Sequence, residues 1–483
     1  MSEAAGPGAD SIPVPGLPPS AGLARPRRVV SRTWRRLVRV QRMRGQRGIL
    51  FLAGGALIGV AGVGMAIGAS AAEVQFDRLL ALWSYASLVV TPVGFALLAW
   101  ITRRFVTNSE GSGIPQAIAA RKLWDQAARG KLVSLRIGFG KIVLTLAGLL
   151  CGASIGREGP TVQVGASIMF AIGRLSPARQ PGLILAGAAA GIAAAFNTPL
   201  AGVVFAIEEM SRAFDERSNG LVIGAIVAAG IVSTALLGNY TYFGVTASDL
   251  GGGIGWLGVP LCGVVGGLLG GAFARALVVV ARGLPGKFGA ACKAHPVVFA
   301  FGCGLLVAIC GVLSGNTIFG TGYRHIKAVI DHGGPLSLSF GPLKLIATIL
   351  SSIAGIPGGL FSPSLAVGGG IGFDIARLLP GAPVDALVIL GMVGYFSGVV
   401  QAPITAFAIV AEMTADHNMI VPLMATSMIG TVSSRLVCPE GVYHILSRNY
   451  YHRYAPTTVA TVAGGGVGGP GDSGDDSARD SKA

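Results

Sequence analysis

Glu158 is the residue whose setting most demands chemistry. It lies in Gly156-Arg157-Glu158-Gly159-Pro160, between two glycines and just ahead of a proline, with apolar sequence running away on both sides. A charged side chain at the centre of a bilayer costs about 2.5–3.5 kcal/mol on insertion scales, so an acid kept there faces a pathway or a partner. Proline is tolerated in the first turn of a helix, where its missing N–H has no helical acceptor. Glu158 is therefore predicted at a helix start. The apolar run from Thr161 to Gly173 is shorter than the roughly 20 residues that cross a bilayer, which predicts a half-helix beginning inside the membrane. The exposed amides and positive dipole end of such a helix form an anion site.

The same spelling, glycine, three residues, proline, occurs in Gly111-Ser112-Gly113-Ile114-Pro115 and in Gly359-Leu360-Phe361-Ser362-Pro363. Any one of the three could be a plain turn with a helix cap. Three together, one with a buried acid and two with a hydroxyl, are predicted to converge on one small anion.

The elements that hold these starts must be membrane helices. Of 483 residues, 52% are hydrophobic and only 12% charged, against about 25% charged in a soluble domain. The 75 glycines suit closely packed or interrupted membrane helices. A formal charge of +15 could suggest nucleic acid, but ten arginines fall between Arg25 and Arg47, directly before the first long apolar run. That placement is a cytoplasmic flank or an interfacial basic helix and excludes a nucleic-acid partner. The six cysteines lack C-x-x-C spacing and read as small buried hydrophobes. No His/Glu or Ser/His cluster has ligand or triad spacing, so neither a metal, a cofactor nor an enzyme is expected.

In chain order, residues 1–24 read as a disordered tail and 25–47 as the basic segment. Residues 48–450 form the transmembrane domain, and 451–483 a second disordered tail with no regulatory domain. Spans are expected at 48–72 and 80–101, with a link carrying Glu73 and Asp77, then a long helix over 132–155. Lys141 on that helix reads as a structural charge reaching for a carbonyl or an acid. The apolar stretches 182–207 and 386–407 are each broken, at Asn197-Thr198-Pro199 and at Gln401-Ala402-Pro403. Glu208-Glu209 closes the first of them and on its own reads as a solvated helix end.

An internal repeat joins these observations. Asn197 to Glu208 aligns with Gln401 to Glu412, 204 residues on, and Gly156 to Pro160 with Gly359 to Pro363, 203 residues on. Two halves, about 80–238 and 254–436, with helices broken at matching places mark a secondary transporter whose site lies at the repeat interface.

Those motifs, in this order and spacing, resemble the CLC family of chloride channels and proton-coupled chloride transporters, bacterial exchanger branch, over roughly residues 80–450. The resemblance implies an all-α polytopic membrane protein of two inverted repeats with many tilted and re-entrant helices. It further implies a homodimer with one ion path per subunit, in a bacterial inner membrane with both termini cytoplasmic. Carried over by motif, Ser112 is the central-site serine, whose presence goes with chloride preference, and Glu158 the gating glutamate. Gly113, Ile114, Arg157, Gly159, Leu360 and Phe361 would line the anion position, and Tyr443 in Gly441-Val442-Tyr443 is the inner tyrosine. Glu209 matches the internal proton-transfer glutamate of the exchangers, where channels commonly carry an apolar residue. The implied activity is exchange of chloride for protons, with ionised Glu158 and chloride competing for one pocket; a passive, glutamate-gated chloride channel of the same fold is the alternative. Gln116 and Ile118 stand where some bacterial relatives have acids, which leaves the partners of Lys141 and Arg157 open.

Overall fold

The computed structural model describes residues 27–174, 177–211, 219–238, 243, 246, 248–251 and 253–455. Of the stretches read as tails, residues 1–24 and 456–483 lie outside the described residues, whereas 451–454, placed in the second tail by sequence, are the last turn of the helix Val442–Tyr454. By internal contact the chain forms two units, Met1–Gly48 and Ile49–Ala483, and the second carries every residue of the site.

The first half runs through α1 (Arg27–Leu82), α2 (Ser87–Phe105), α3 (Ile114–Lys122), α4 (Gln126–Gly130), α5 (Leu135–Leu150), α6 (Glu158–Gly173), α7 (Gln180–Phe196), α8 (Pro199–Phe205) and α9 (Asn219–Leu237). The second runs through α10 (Gly258–Arg282), α11 (Gly286–Ala294), α12 (Pro296–Leu313), α13 (Tyr323–His332), α14 (Phe340–Ile353), α15 (Phe361–Leu378), α16 (Val384–Val400), α17 (Pro403–Thr414), α18 (Ile420–Val437) and α19 (Val442–Tyr454). Among the described residues six stretches are long and apolar enough to cross a bilayer, including Gly48–Leu82, Ile254–Arg282 and Ile420–Val437. α6, α7 and α16, at 16 or 17 residues each, are too short to span alone and are almost wholly buried in protein, the place where irregular backbone is tolerated at membrane depth. The chain is an all-α polytopic membrane protein.

The sites of helix breakage follow local chemistry. α7 ends at Asn197 and α16 at Gln401, both left-handed (φ 57° and 58°), and each next helix begins on a proline, Pro199 or Pro403. Two expectations need correction. Glu73 and Asp77 lie inside α1, which carries on to Leu82, because no glycine or proline interrupts 73–82 and both acids find partners: Glu73 accepts from the amide of Thr321 at 2.6 Å and Asp77 from Arg324 at 2.6 Å. The helix expected over 132–155 is shorter, capped at its start by Ser134 and ended ahead of Gly152, whose φ is 79°.

The halves are related by a local two-fold axis. Gly156 and Gly359, equivalent residues, pair antiparallel through two amide–carbonyl bonds of 2.8 and 2.7 Å. Antiparallel pairing of equivalents requires an axis between them and opposite chain directions, which is the inversion. Contacts elsewhere are reciprocal. Glu208 accepts from the amides of Ile404 and Thr405 at the start of α17 (3.1 and 2.6 Å), and Glu412 from those of Leu200 and Ala201 at the start of α8 (3.1 and 2.8 Å). Each half thus caps the other's half-helix with a carboxylate. Gly165 lies so close to the backbone of Gly187, and Gly368 to that of Gly391, that an added Cβ would meet a carbonyl oxygen at 2.2 or 2.4 Å.

Candidate functional site

The three glycine–proline starts are stitched together by backbone. Gly111 donates to Ile356 O and Gly358 to Gly111 O, both at 3.0 Å, beside the Gly156–Gly359 pair. The starts of α3, α6 and α15 therefore meet at one point, deep in the molecule. A Cβ on Gly159 would stand 2.2 Å from Ser112 Oγ and 3.3 Å from Gly359 Cα, and one on Gly113 would stand 3.2 Å from Gly159 O. Ser112, Gly113, Ile114, Gly159, Leu360 and Phe361, expected together from sequence, are together and buried. Each helix brings first-turn N–H groups that no carbonyl of its own helix can take.

Glu158 opens α6 and is fully buried in this junction. Its Oε1 accepts from Ser362 Oγ at 2.5 Å, its Oε2 lies 3.4 Å from the amide of Ser362, and Arg157 Nε is 3.9 Å from Oε1. The carboxylate is thus an internal anion seated on the first turn of α15, the kind of berth expected for an external one.

Two cavities reach residues beside it, although Glu158 itself lines neither. One of about 370 Å³ is lined by Ser112, Leu360, Tyr443, Glu110, Tyr450, Arg103, Lys293 and Arg453. The other, about 450 Å³, is lined by Arg157, Glu73, Ser70, Thr321 and Tyr323. The hydroxyls of Ser112 and Tyr443 are buried, and neither makes a hydrogen bond of good geometry. Ser112 is nonetheless a close side-chain neighbour of the phenol, which also feels the charges of Glu209 and Glu158. The two buried hydroxyls stand side by side at the neck of a cavity lined by three cations, where either can turn toward an acceptor. Tyr443 is set by its ring: Phe361 packs against it (6.0 Å between centroids), against Phe396 (4.8 Å) and against Phe196 (6.1 Å).

Glu209 stands apart from the junction. Residues Ala206–Ser211 form a π-helical turn, a rare geometry that gathers at functional sites. It sends the two adjacent acids to different tasks, Glu208 to the start of α17 and Glu209 inward, where it is 2% exposed and its Oε1 lies 3.5 Å from His444 Nε2. A solvated helix end is therefore the wrong description of Glu209. For Lys141 the question left by Gln116 and Ile118 is answered. Lys141 is fully buried, donates to Ser109 O at 2.7 Å and Gly111 O at 2.5 Å, and has Glu110 as its opposing charge. Gln116 donates to Glu110 O and to the hydroxyl of Tyr450, which in turn bonds the Glu110 carboxylate at 3.1 Å.

Sequence reasoning missed Ser362 as the seat of Glu158, the ring box around Phe361, and His444. The hydroxyl one residue after Phe361 was a usable signal for the first. The other two depend on contacts between distant segments and leave none.

Residues 94–435 match the family profile described as voltage gated chloride channel. The H(+)/Cl(-) exchange transporter ClcA of Yersinia pestis is 32% identical over 452 residues, covering 86% of this chain and 90% of that one. ClcA of Vibrio cholerae is 30% identical over 390 residues, covering 76% and 80%. Among solved structures, a slow cyanobacterial Cl-/H+ antiporter superposes with a TM-score of 0.70 at 23% identity, covering 84% of this chain and 98% of that one. A CLC-type fluoride/proton antiporter gives 0.70 at 21%, covering 83% and 98%. With a profile that spans the convergent helix starts, and relatives aligned along most of their own length, this chain belongs to the voltage-gated chloride channel family, the CLC proteins.

Proposed function

We propose that the protein exchanges chloride for protons across a membrane, Glu158 serving as the switch for both. The observation that carries this reading is the seat of the Glu158 carboxylate on Ser362, where the three helix starts meet and between two cavities. An ionised Glu158 and a chloride compete for the same partial positive charge, so one excludes the other. Protonation cancels the attraction, the side chain leaves, and chloride takes the berth. The anion then passes Ser112 and Tyr443 toward the basic cavity. The proton takes another route through Glu209, whose charge Tyr443 already feels. The buried Glu209, and the naming of the aligned relatives as H(+)/Cl(-) exchangers, favour exchange over passive conduction.

In this reading Ser112, Gly113, Ile114, Arg157, Gly159, Leu360, Phe361 and Tyr443 serve the anion, and Glu158 and Glu209 the proton. The protein works as a homodimer with one path per subunit. It lies in a bacterial inner membrane, the arginine cluster between Arg25 and Arg47 and both termini on the cytoplasmic side. The test is reconstitution into liposomes with a chloride gradient. Exchange predicts uphill proton movement and a reversal potential that shifts with the pH gradient. A reversal potential set by chloride alone ends this proposal.

A further inference from the structure

The reading above delivers a proton to Glu209 but says nothing of what hands it over. Glu208, the neighbouring acid, is committed: both its oxygens are bonded to amides at the start of α17. What Glu209 does face is His444, with Nε2 3.5 Å from Oε1. The two side chains differ in access, 10% exposed for His444 and 3% for Glu209, so the imidazole is the outer member of the pair. His444 is also the residue after Tyr443, in the first turn of α19.

We propose that His444 is the proton-transfer group serving Glu209, taking protons at its partly exposed edge and passing them inward. This rests on the role assigned to Glu209. In the step, the N–H of imidazolium at Nε2 breaks, its proton goes to Glu209 Oε1, and a neutral imidazole and a carboxylic acid remain. A hydronium ion at the exposed edge then reprotonates the ring and leaves water. Imidazole suits the task because its ordinary pKa of about 6.5 lets it carry and release a proton near neutrality.

The charged surroundings allow it. Of the elements packed on α19, α3 carries Arg121 and Lys122, α10 carries Arg275 and Arg282, and α16 only Asp385. Arg121 is held by Met210 O at 2.7 Å and Arg275 reaches Val437 O. Along α19 itself, Glu440, just before its start, and Arg448 pair with each other at 2.9 Å. Glu209 is thus the charged group within ion-pair distance of His444 among the described residues. The placement carries a second consequence. His444 adjoins Tyr443 in the chain, so the group that loads the proton and the hydroxyl at the neck of the anion path move on one turn of helix.

The test uses the full-length protein in liposomes, with proton and chloride fluxes recorded together for wild type, H444Q and E209Q, each with and without millimolar imidazole inside and outside. H444Q keeps a polar amide at the site but cannot carry a proton. The expected result is a proton flux reduced about 10-fold or more with chloride flux retained, recovered by imidazole in H444Q but not in E209Q. The pH dependence of the proton flux should flatten around neutrality in H444Q. Wild-type proton flux in H444Q overturns the proposal. So does a loss that imidazole does not recover with an unchanged pH profile, since that marks a structural role. Should H444Q lose chloride flux as well, H444N is measured under the same criteria. If E209Q moves protons normally, it is the role of Glu209 that fails; if E209Q uncouples while H444Q does not, only the relay fails.

Discussion

Glu158→Gln removes the charge from the switch while keeping its shape, and the structure sets the size of the effect. The carboxylate gains one short hydrogen bond from Ser362 Oγ, 2.5 Å, and sits on the first turn of α15. A hydrogen bond to an ionised acceptor contributes about 1.5–3 kcal/mol and a neutral one about 0.5–1.5 kcal/mol, so the amide forfeits roughly 1 kcal/mol. Loss of the charge from a helix N-terminus removes about 1 kcal/mol more. The internal competitor is therefore weakened by about 2 kcal/mol, and an anion that must displace it should bind about 30-fold more tightly. Isothermal titration of chloride into detergent-solubilised wild type and E158Q measures this directly. In liposomes the same variant should carry chloride and no protons. An unchanged chloride affinity means that the carboxylate and the anion do not share a site, and chloride-driven proton uptake that persists in E158Q removes Glu158 from the proton route.

Gly156→Ala should act in the same direction, because its Cβ would stand 2.3 Å from Glu158 Oε2 and expel the carboxylate; chloride titration should show tighter binding, and weaker binding would contradict the seat described. Gly159→Ala places its Cβ 2.2 Å from Ser112 Oγ and 2.9 Å from Ser112 O, so chloride flux per folded protein should fall at least about 10-fold, with thermal stability falling too because backbone must shift; full flux would move the anion path elsewhere. Glu208→Ala and Glu412→Ala remove equivalent caps, each worth about 0.5–2 kcal/mol, and should lower thermal stability by similar amounts; a loss confined to one breaks the two-fold reasoning. His325, on α13, is pushed down to about 4 by burial and by Lys344 and Arg324. Its folded value lies below the unfolded one of about 6.5, so acid favours the unfolded chain, and stability should fall as pH drops from about 6.5 toward 4. His325→Gln should remove part of that slope, and an unchanged slope in a melting series assigns it to other groups.

Sequence spoke clearly wherever the physics is local. A left-handed residue followed by proline ends one helix and starts the next whatever surrounds it, so the breaks at Asn197 and Gln401 were legible, as were the three glycine–proline starts. The internal repeat was legible because the breaks recur at spacings of 203 and 204 residues; the two-fold axis was not, since spacing carries no chain direction in space. Glu73 was not: its partner Thr321 is 248 residues away, and nothing beside it distinguishes a helical acid from one in a link. The division of labour between Glu208 and Glu209 was hidden for a different reason. Adjacent acids look alike in a sequence, and only the π-helical turn over Ala206–Ser211 aims them apart.

The near symmetry of the halves raises the question of why the proposed path uses one of the two related sites and not both. Gly111-Ser112-Gly113 has a twin in Gly320-Thr321-Gly322, with both outer glycines at positive φ in each. Lys141 holds the carbonyls of Ser109 and Gly111, and Lys344, 203 residues on, holds those of Ile318 and Gly320 at 2.8 and 2.7 Å. The scaffolds match, but their contents differ. In the first half the serine hydroxyl lies beside that of Tyr443 on the cavity wall, open to whatever occupies the cavity. In the second half the amide of Thr321 is taken by the Glu73 carboxylate from α1, and a side chain on Gly320 would run into that same carboxylate. An acid built into the fold already sits where an outside anion would have to bind, and it carries the same charge. Glu73 and Glu158 therefore do related things at related places. Glu73 is tied from a long helix that also anchors Asp77 to Arg324, whereas Glu158 opens a half-helix between two cavities and is held chiefly by one hydroxyl and a single weak amide contact. On the proposed function, a carboxylate that can leave makes a switch and one that cannot makes a plug; the symmetry is broken by how each acid is held.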